Sequence, residues 1–228
     1  MSAKCRATKP RSNEAGLTLI ECLVAIAVIG ITTASIGPMM VFSVATRVQN
    51  QRTEQALQLA QAEIDKVRLT VEQGGDYGQR LQNISLFRIP SNSSTPATVP
   101  APMSFIASTA SVTSTDQARR VDIDGDGTAD FAIQIFRTRG IEVPARAGGT
   151  TPSTPVAFRM GVRVYDARAN VGSLLTEQVS LSFTSGEGQR NRRPLAVLYS
   201  EIAQGDRDGA LCQYWRFAGS TPTGLVCN

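Results

Sequence analysis

The stretch from Cys22 to Thr46 contains no charged residue. As a helix it would extend about 37 Å, enough to cross the apolar core of a bilayer with some tilt. A segment of this kind cannot be shared between water and lipid by composition alone, so it divides the chain. Before it lies a short basic stretch, MSAKCRATKPRSNEA, in which Lys4, Arg6, Lys9 and Arg11 outweigh Glu14. That bias keeps residues 1–15 on the cytoplasmic side of a membrane. A cleaved secretory signal is the first alternative, but its apolar region would be shorter and followed by a small-x-small cleavage site. Here the apolar run passes straight into an amphipathic one.

Two residues are at odds with a plain anchor. Glu21 sits at the start of the apolar run, where a carboxylate costs roughly 2.5–3.5 kcal/mol on insertion scales. One reading is that it snorkels to the headgroup boundary; the other is that it requires a positive partner within the membrane, which no Lys or Arg of the run provides. Pro38, after Gly37, cannot donate to the carbonyl of Ala34, so the helix is expected to kink or open there.

Composition narrows the chemistry. The chain of 228 residues has no histidine, which removes Ser-His-Asp and Cys-His nucleophile systems and the commonest zinc ligand. Lysine occurs only at Lys4, Lys9 and Lys66, and no GxSxG, Walker or dinucleotide-binding pattern is present. Carboxylates or lysine could still serve an enzyme, but no catalytic residue is expected. The net charge of +4 does not call for a nucleic acid partner.

Gly16 followed by LTLIE resembles the prepilin processing motif of type IV pilins and type II secretion pseudopilins. The resemblance implies cleavage between Gly16 and Leu17 by a prepilin peptidase and methylation of Leu17 as the new N-terminus, where phenylalanine is commoner. It implies that Glu21, then the fifth residue, pairs with the protonated N-terminal amine of a neighbouring subunit during assembly. Gly30 and Pro38 fall where many pilins carry a helix-loosening glycine and proline. The implied product is a minor pilin or pseudopilin, a structural subunit and not an enzyme. Its implied partners are other pilin-like subunits, the peptidase and an inner-membrane assembly platform. It would be a single-pass inner-membrane protein with its head in the periplasm, then part of a filament. The polar insertions are similar in style to pseudopilins tied to polysaccharide secretion and gliding. Two rivals are a pilin that binds DNA or another polyanion, and a membrane-anchored enzyme using an aspartate cluster for metal.

The fold class expected is α+β: a long N-terminal helix packed on a C-terminal antiparallel sheet, as in pilins. Residues 1–16 form the leader, 17–46 the membrane and polymerisation helix, 47–75 an amphipathic continuation, and 76–228 a β-rich head. Leu57, Ala60, Ile64, Val67 and Val71 recur at helical spacing and form one apolar stripe, with a homomeric coiled coil as the alternative. Gly74-Gly75 stops the helix. Residues 91–115, rich in Ser, Thr, Pro and Ala, read as a surface loop with one short strand around Phe105. FAIQIFR (131–137), AFRMGVRVYD, QVSLSFT (178–184) and RPLAVLYS (193–200) read as half-buried antiparallel strands, with a loop at 144–155.

VDIDGDGTADF places Asp122, Asp124, Asp126 and Asp130 at the 1, 3, 5 and 9 spacing of a calcium loop, with Gly127 at the turn. Ile133 stands where an EF-hand needs its glutamate, so the pattern resembles hairpin-type calcium loops instead, with the Thr128 carbonyl as a further ligand and Ca2+ in a structural role. A bare Asp-Gly turn neutralised by Arg119 and Arg120 is the alternative. Cys212 and Cys227 are placed for an extracytoplasmic disulfide, similar to the C-terminal loop of many pilins; two free thiols are the alternative. Arg190, Arg192 and Arg193 form a basic cluster read as a solvated loop.

Overall fold

The computed structural model describes residues 18–75, 77–83, 87–88, 95–143, 154–179, 189, 191–205 and 210–219. Two compact units divide at Gln49 and Asn50. Helix α1 (Leu19–Glu72) supplies residues to both.

In the first unit α1 is an apolar helix with its side chains exposed from Leu19 to Val44. Its hydroxyl groups are turned back onto the helix: Thr32 Oγ1 donates to the Val28 carbonyl (2.9 Å), Thr33 to Ile29 (2.7 Å) and Ser35 to Ile31 (2.8 Å). These three hydroxyls therefore need no water partner. The opening expected at Pro38 does not end the helix, which continues through it. One missing N–H donor is a local loss, and the turns on both sides retain their own bonds.

In the second unit, residues 50–72 of α1 bury one stripe. Ala56, Ala60, Ile64, Val67 and Val71 are packed in the core, while Leu57 is 37% exposed. The expected stripe is thus corrected at its first member: Ala56 lies against the sheet, since a methyl side chain lets the helix axis approach closely. After Glu72 the chain leaves the helix through Gly74 and Gly75, both with left-handed φ (64° and 67°). Arg80 of α2 (Tyr77–Asn83) donates to the Gly74 carbonyl and to Gln73 Oε1, capping the end of α1.

Among the described residues the sheet has seven strands: β1 (Phe87–Arg88), β2 (Ser104–Ile106), β3 (Gln117–Val121), β4 (Phe131–Arg137), β5 (Ile141–Val143), β6 (Thr154–Asp166) and β7 (Ala196–Ala203). β6 is the long central strand. β7 lies along one edge of it, while β4 and β5 follow one another along the other. β3 and then β2 extend the sheet beyond β4. Gly140 makes the step between β4 and β5. Its φ is 61° and a Cβ there would lie 2.0 Å from the Ala157 carbonyl oxygen, so only glycine fits. α3 (Ala210–Ala218) follows β7.

Two expectations about the sheet are corrected. It is mixed, not antiparallel, because β1 pairs with β4 and β2 with β3 in parallel. The central strands are not half-buried: all seven residues of β4 are buried. On one face Phe131, Ile133, Ile135, Phe158, Met160, Val162 and Val164 pack on the α1 stripe. The other face is covered by residues 95–117, which form a strap. Pro96, Val99, Val112 and Thr115 are buried in it, and Phe105 packs on Ala118, Ala132 and Tyr165. The short strand expected around Phe105 is β2; the segment is a surface loop as read, with residues 107–111 exposed, but it buries its inward side chains against the sheet. Of the other strand expectations, β7 begins three residues later than read and ends at Ala203. Gln178 and Val179 are not in a strand, and the rest of QVSLSFT lies outside the described residues, as does most of the 144–155 loop.

Candidate functional site

At the N-terminus, Gly16 and Leu17 lie outside the described residues. Glu21 stands in the first turn of α1, its N–H donating to the Thr18 carbonyl (3.0 Å). Its side chain is exposed, among the exposed apolar side chains of Leu19, Ile20 and Val24. Among the described residues its carboxylate has no hydrogen-bond or ion-pair partner. The helix around it is long and apolar enough to cross a membrane. An acid so placed has no compensation within the described part of its own chain.

The aspartate loop joins β3 to β4. It is built from its own side chains: Asp122 accepts from the N–H groups of Gly125 (2.7 Å) and Gly127 (2.8 Å), Asp124 from Asp126 (3.1 Å), and Asp130 from Ile123 (3.0 Å). Left-handed φ values at Gly125 (77°) and Gly127 (84°) turn those N–H groups inward. The two backbone donors hold the Asp122 carboxyl below the usual carboxylate range, against a smaller opposing effect of desolvation.

Asp122, Asp124 and Asp130 present oxygens within 4.8 Å of one another. The Asp126 carboxylate, expected to join them, stands outside this group and accepts from the Thr128 N–H (2.6 Å). Of the two arginines that could neutralise the loop, Arg119 is turned to Glu63 of α1 (3.4 Å). Three convergent carboxylates suit a hard cation, which would draw its remaining oxygens from carbonyls and water.

Cys212, on α3, is not a free thiol, while Cys22 is free and exposed. Cys227 lies outside the described residues. Of the basic cluster, Arg190 is outside them too. Arg192 donates to the Ser173 carbonyl (3.0 Å) and Arg193 to Glu177 (2.9 Å), so both are occupied in holding the turn before Val179.

Residues 11–37 match the model of the prokaryotic N-terminal methylation motif. The chain has a prepilin-type N-terminus. Comparison with curated proteins and with solved structures finds no match. The match spans the basic stretch, the Gly16 junction, Glu21 and the apolar helix as far as Gly37. It is consistent with type IV pilin-like and pseudopilin subunits, and the α+β arrangement of a long helix on a sheet agrees with a pilin-like fold. A prepilin-type chain in general associates with other pilins and with a prepilin peptidase, and its apolar helix is compatible with membrane anchoring.

Reading the sequence missed the residues that organise the second face of the sheet. Arg163, read as a solvent-facing member of an alternating strand, is completely buried. Its Nη1 donates to the carbonyls of Val99 (2.7 Å) and Pro100 (3.2 Å), its Nη2 to that of Ala97 (3.3 Å). The guanidinium lies over the Phe136 ring, 4.9 Å from its centre. Gln134 Nε2 adds bonds to the Pro100 (3.0 Å) and Thr115 (2.8 Å) carbonyls. Burial pushes the neighbouring Tyr165 phenol up to about 12. The available signal was Gly161, a glycine inside a strand pattern; a Cβ there would lie 2.5 Å from the Phe136 ring.

Proposed function

We propose that this chain is a structural subunit, a minor pilin or pseudopilin, of a type IV pilus or a related secretion filament. One combination carries the reading: a methylation-motif match over residues 11–37 on an exposed apolar helical stretch, Leu19 to Val44, whose single acid, Glu21, has no partner among the described residues. Cleavage after Gly16 would free the amine of Leu17. Protonated, that amine would supply the charge that Glu21 of a neighbouring subunit lacks. An unpaired carboxylate in an apolar environment is expensive, so the pair would select the correct stagger between subunits more than it would add net stability.

The experiment has two readouts. Coexpression with a prepilin peptidase should give an intact mass lacking residues 1–16 and carrying one added methyl. Glu21→Gln protein should be processed normally yet enter filaments at least tenfold less than wild type. A chain that keeps Met1 in the presence of the peptidase, or a Glu21→Gln chain that assembles normally, would overturn the proposal.

Calcium in the loop of Asp122, Asp124 and Asp130 is part of the same reading, as a clamp between β3 and β4 outside the cytoplasm. The three carboxylates repel one another unless a cation or the loop's own N–H groups offset them. Added Ca2+ should raise the thermal midpoint of the full chain in detergent, and Asp124→Ala should abolish that rise. An equal rise in both proteins would exclude the site. A Cys212–Cys227 bridge closing the C-terminal loop completes the proposal; peptide mapping without reduction would reveal any other pairing.

A further inference from the structure

We draw no further inference here: the strongest candidate, the outward edge of β7 with the shallow groove beside it lined by Ile64 and Arg68 of α1 and by Leu198 and Ser200, carries nothing, because nothing in the structure shows what covers it.

Discussion

Replacing Arg163 by methionine tests whether one buried guanidinium holds the strap on the sheet. The side chain is fully buried, and its two shortest bonds to the strap run from Nη1 to the carbonyls of Val99 (2.7 Å) and Pro100 (3.2 Å). A hydrogen bond from a charged donor contributes about 1.5–3 kcal/mol, so the two together contribute about 3–6 kcal/mol. Methionine restores most of the volume and avoids the desolvation cost of a buried cation, which offsets part of the loss. The net cost expected is about 3 kcal/mol. For a unit of this size each kcal/mol shifts the midpoint by about 2–4 °C, so the full chain in detergent should melt about 10 °C lower. Hydrogen exchange should accelerate over residues 97–117 more than over 56–71. Lysine should not rescue, since a single ammonium cannot reach three carbonyls from one position. A midpoint within about 2 °C of wild type, or full rescue by lysine, would refute the assignment.

Gly140→Ala should cost about 3 kcal/mol or more, because left-handed φ (61°) and a Cβ 2.0 Å from the Ala157 carbonyl oxygen must both be relieved; the urea midpoint measures it. Tyr77→Phe removes a buried hydroxyl that donates to the Pro155 carbonyl at 2.7 Å, and should cost about 1–1.5 kcal/mol by the same assay. Asp122 has a folded pKa below its unfolded one, chiefly through the N–H groups of Gly125 and Gly127. Its contribution to stability is therefore complete above the unfolded value of about 3.9 and disappears as pH falls through the lower folded value. Stability measured from pH 6 downward should fall less steeply below about pH 4 in Asp122→Asn than in wild type.

Much of this architecture was legible because it is written locally. Charge absence from Cys22 to Thr46, with one acid at Glu21 and a glycine at Gly16, is a contiguous pattern, and the motif match covers it as far as Gly37. The stripe of Ala60, Ile64, Val67 and Val71 and the apolar alternation of Phe158, Met160, Val162 and Val164 are equally local, and these residues meet in one core. The aspartate loop was legible as a spacing, but its geometry was not. Which carboxylates converge depends on how the N–H groups of Gly125 and Gly127 turn, and Asp126 leaves the group by accepting from Thr128.

What sequence reading could not reach is the strap, and the reason is physical. An arginine at alternating positions in a strand looks like a solvent face, since a buried charge without an acid is costly. Here the compensation comes from carbonyl oxygens more than sixty residues away in sequence, at Ala97, Val99 and Pro100. The strap needs no strongly apolar sequence, because part of its attachment is backbone accepting from side chain. A Ser/Thr/Pro-rich surface segment can therefore be fastened to a sheet, provided the sheet presents a fork of donors to it. Lysine could not fill that role, and in this chain the cations facing the strap and the sheet ends are arginines: Arg137, Arg159 and Arg163. The two faces of β6 are thus held differently, by apolar packing toward α1 and by apolar packing joined to charged hydrogen bonding toward the strap. A perturbation that weakens one face should leave the other closed.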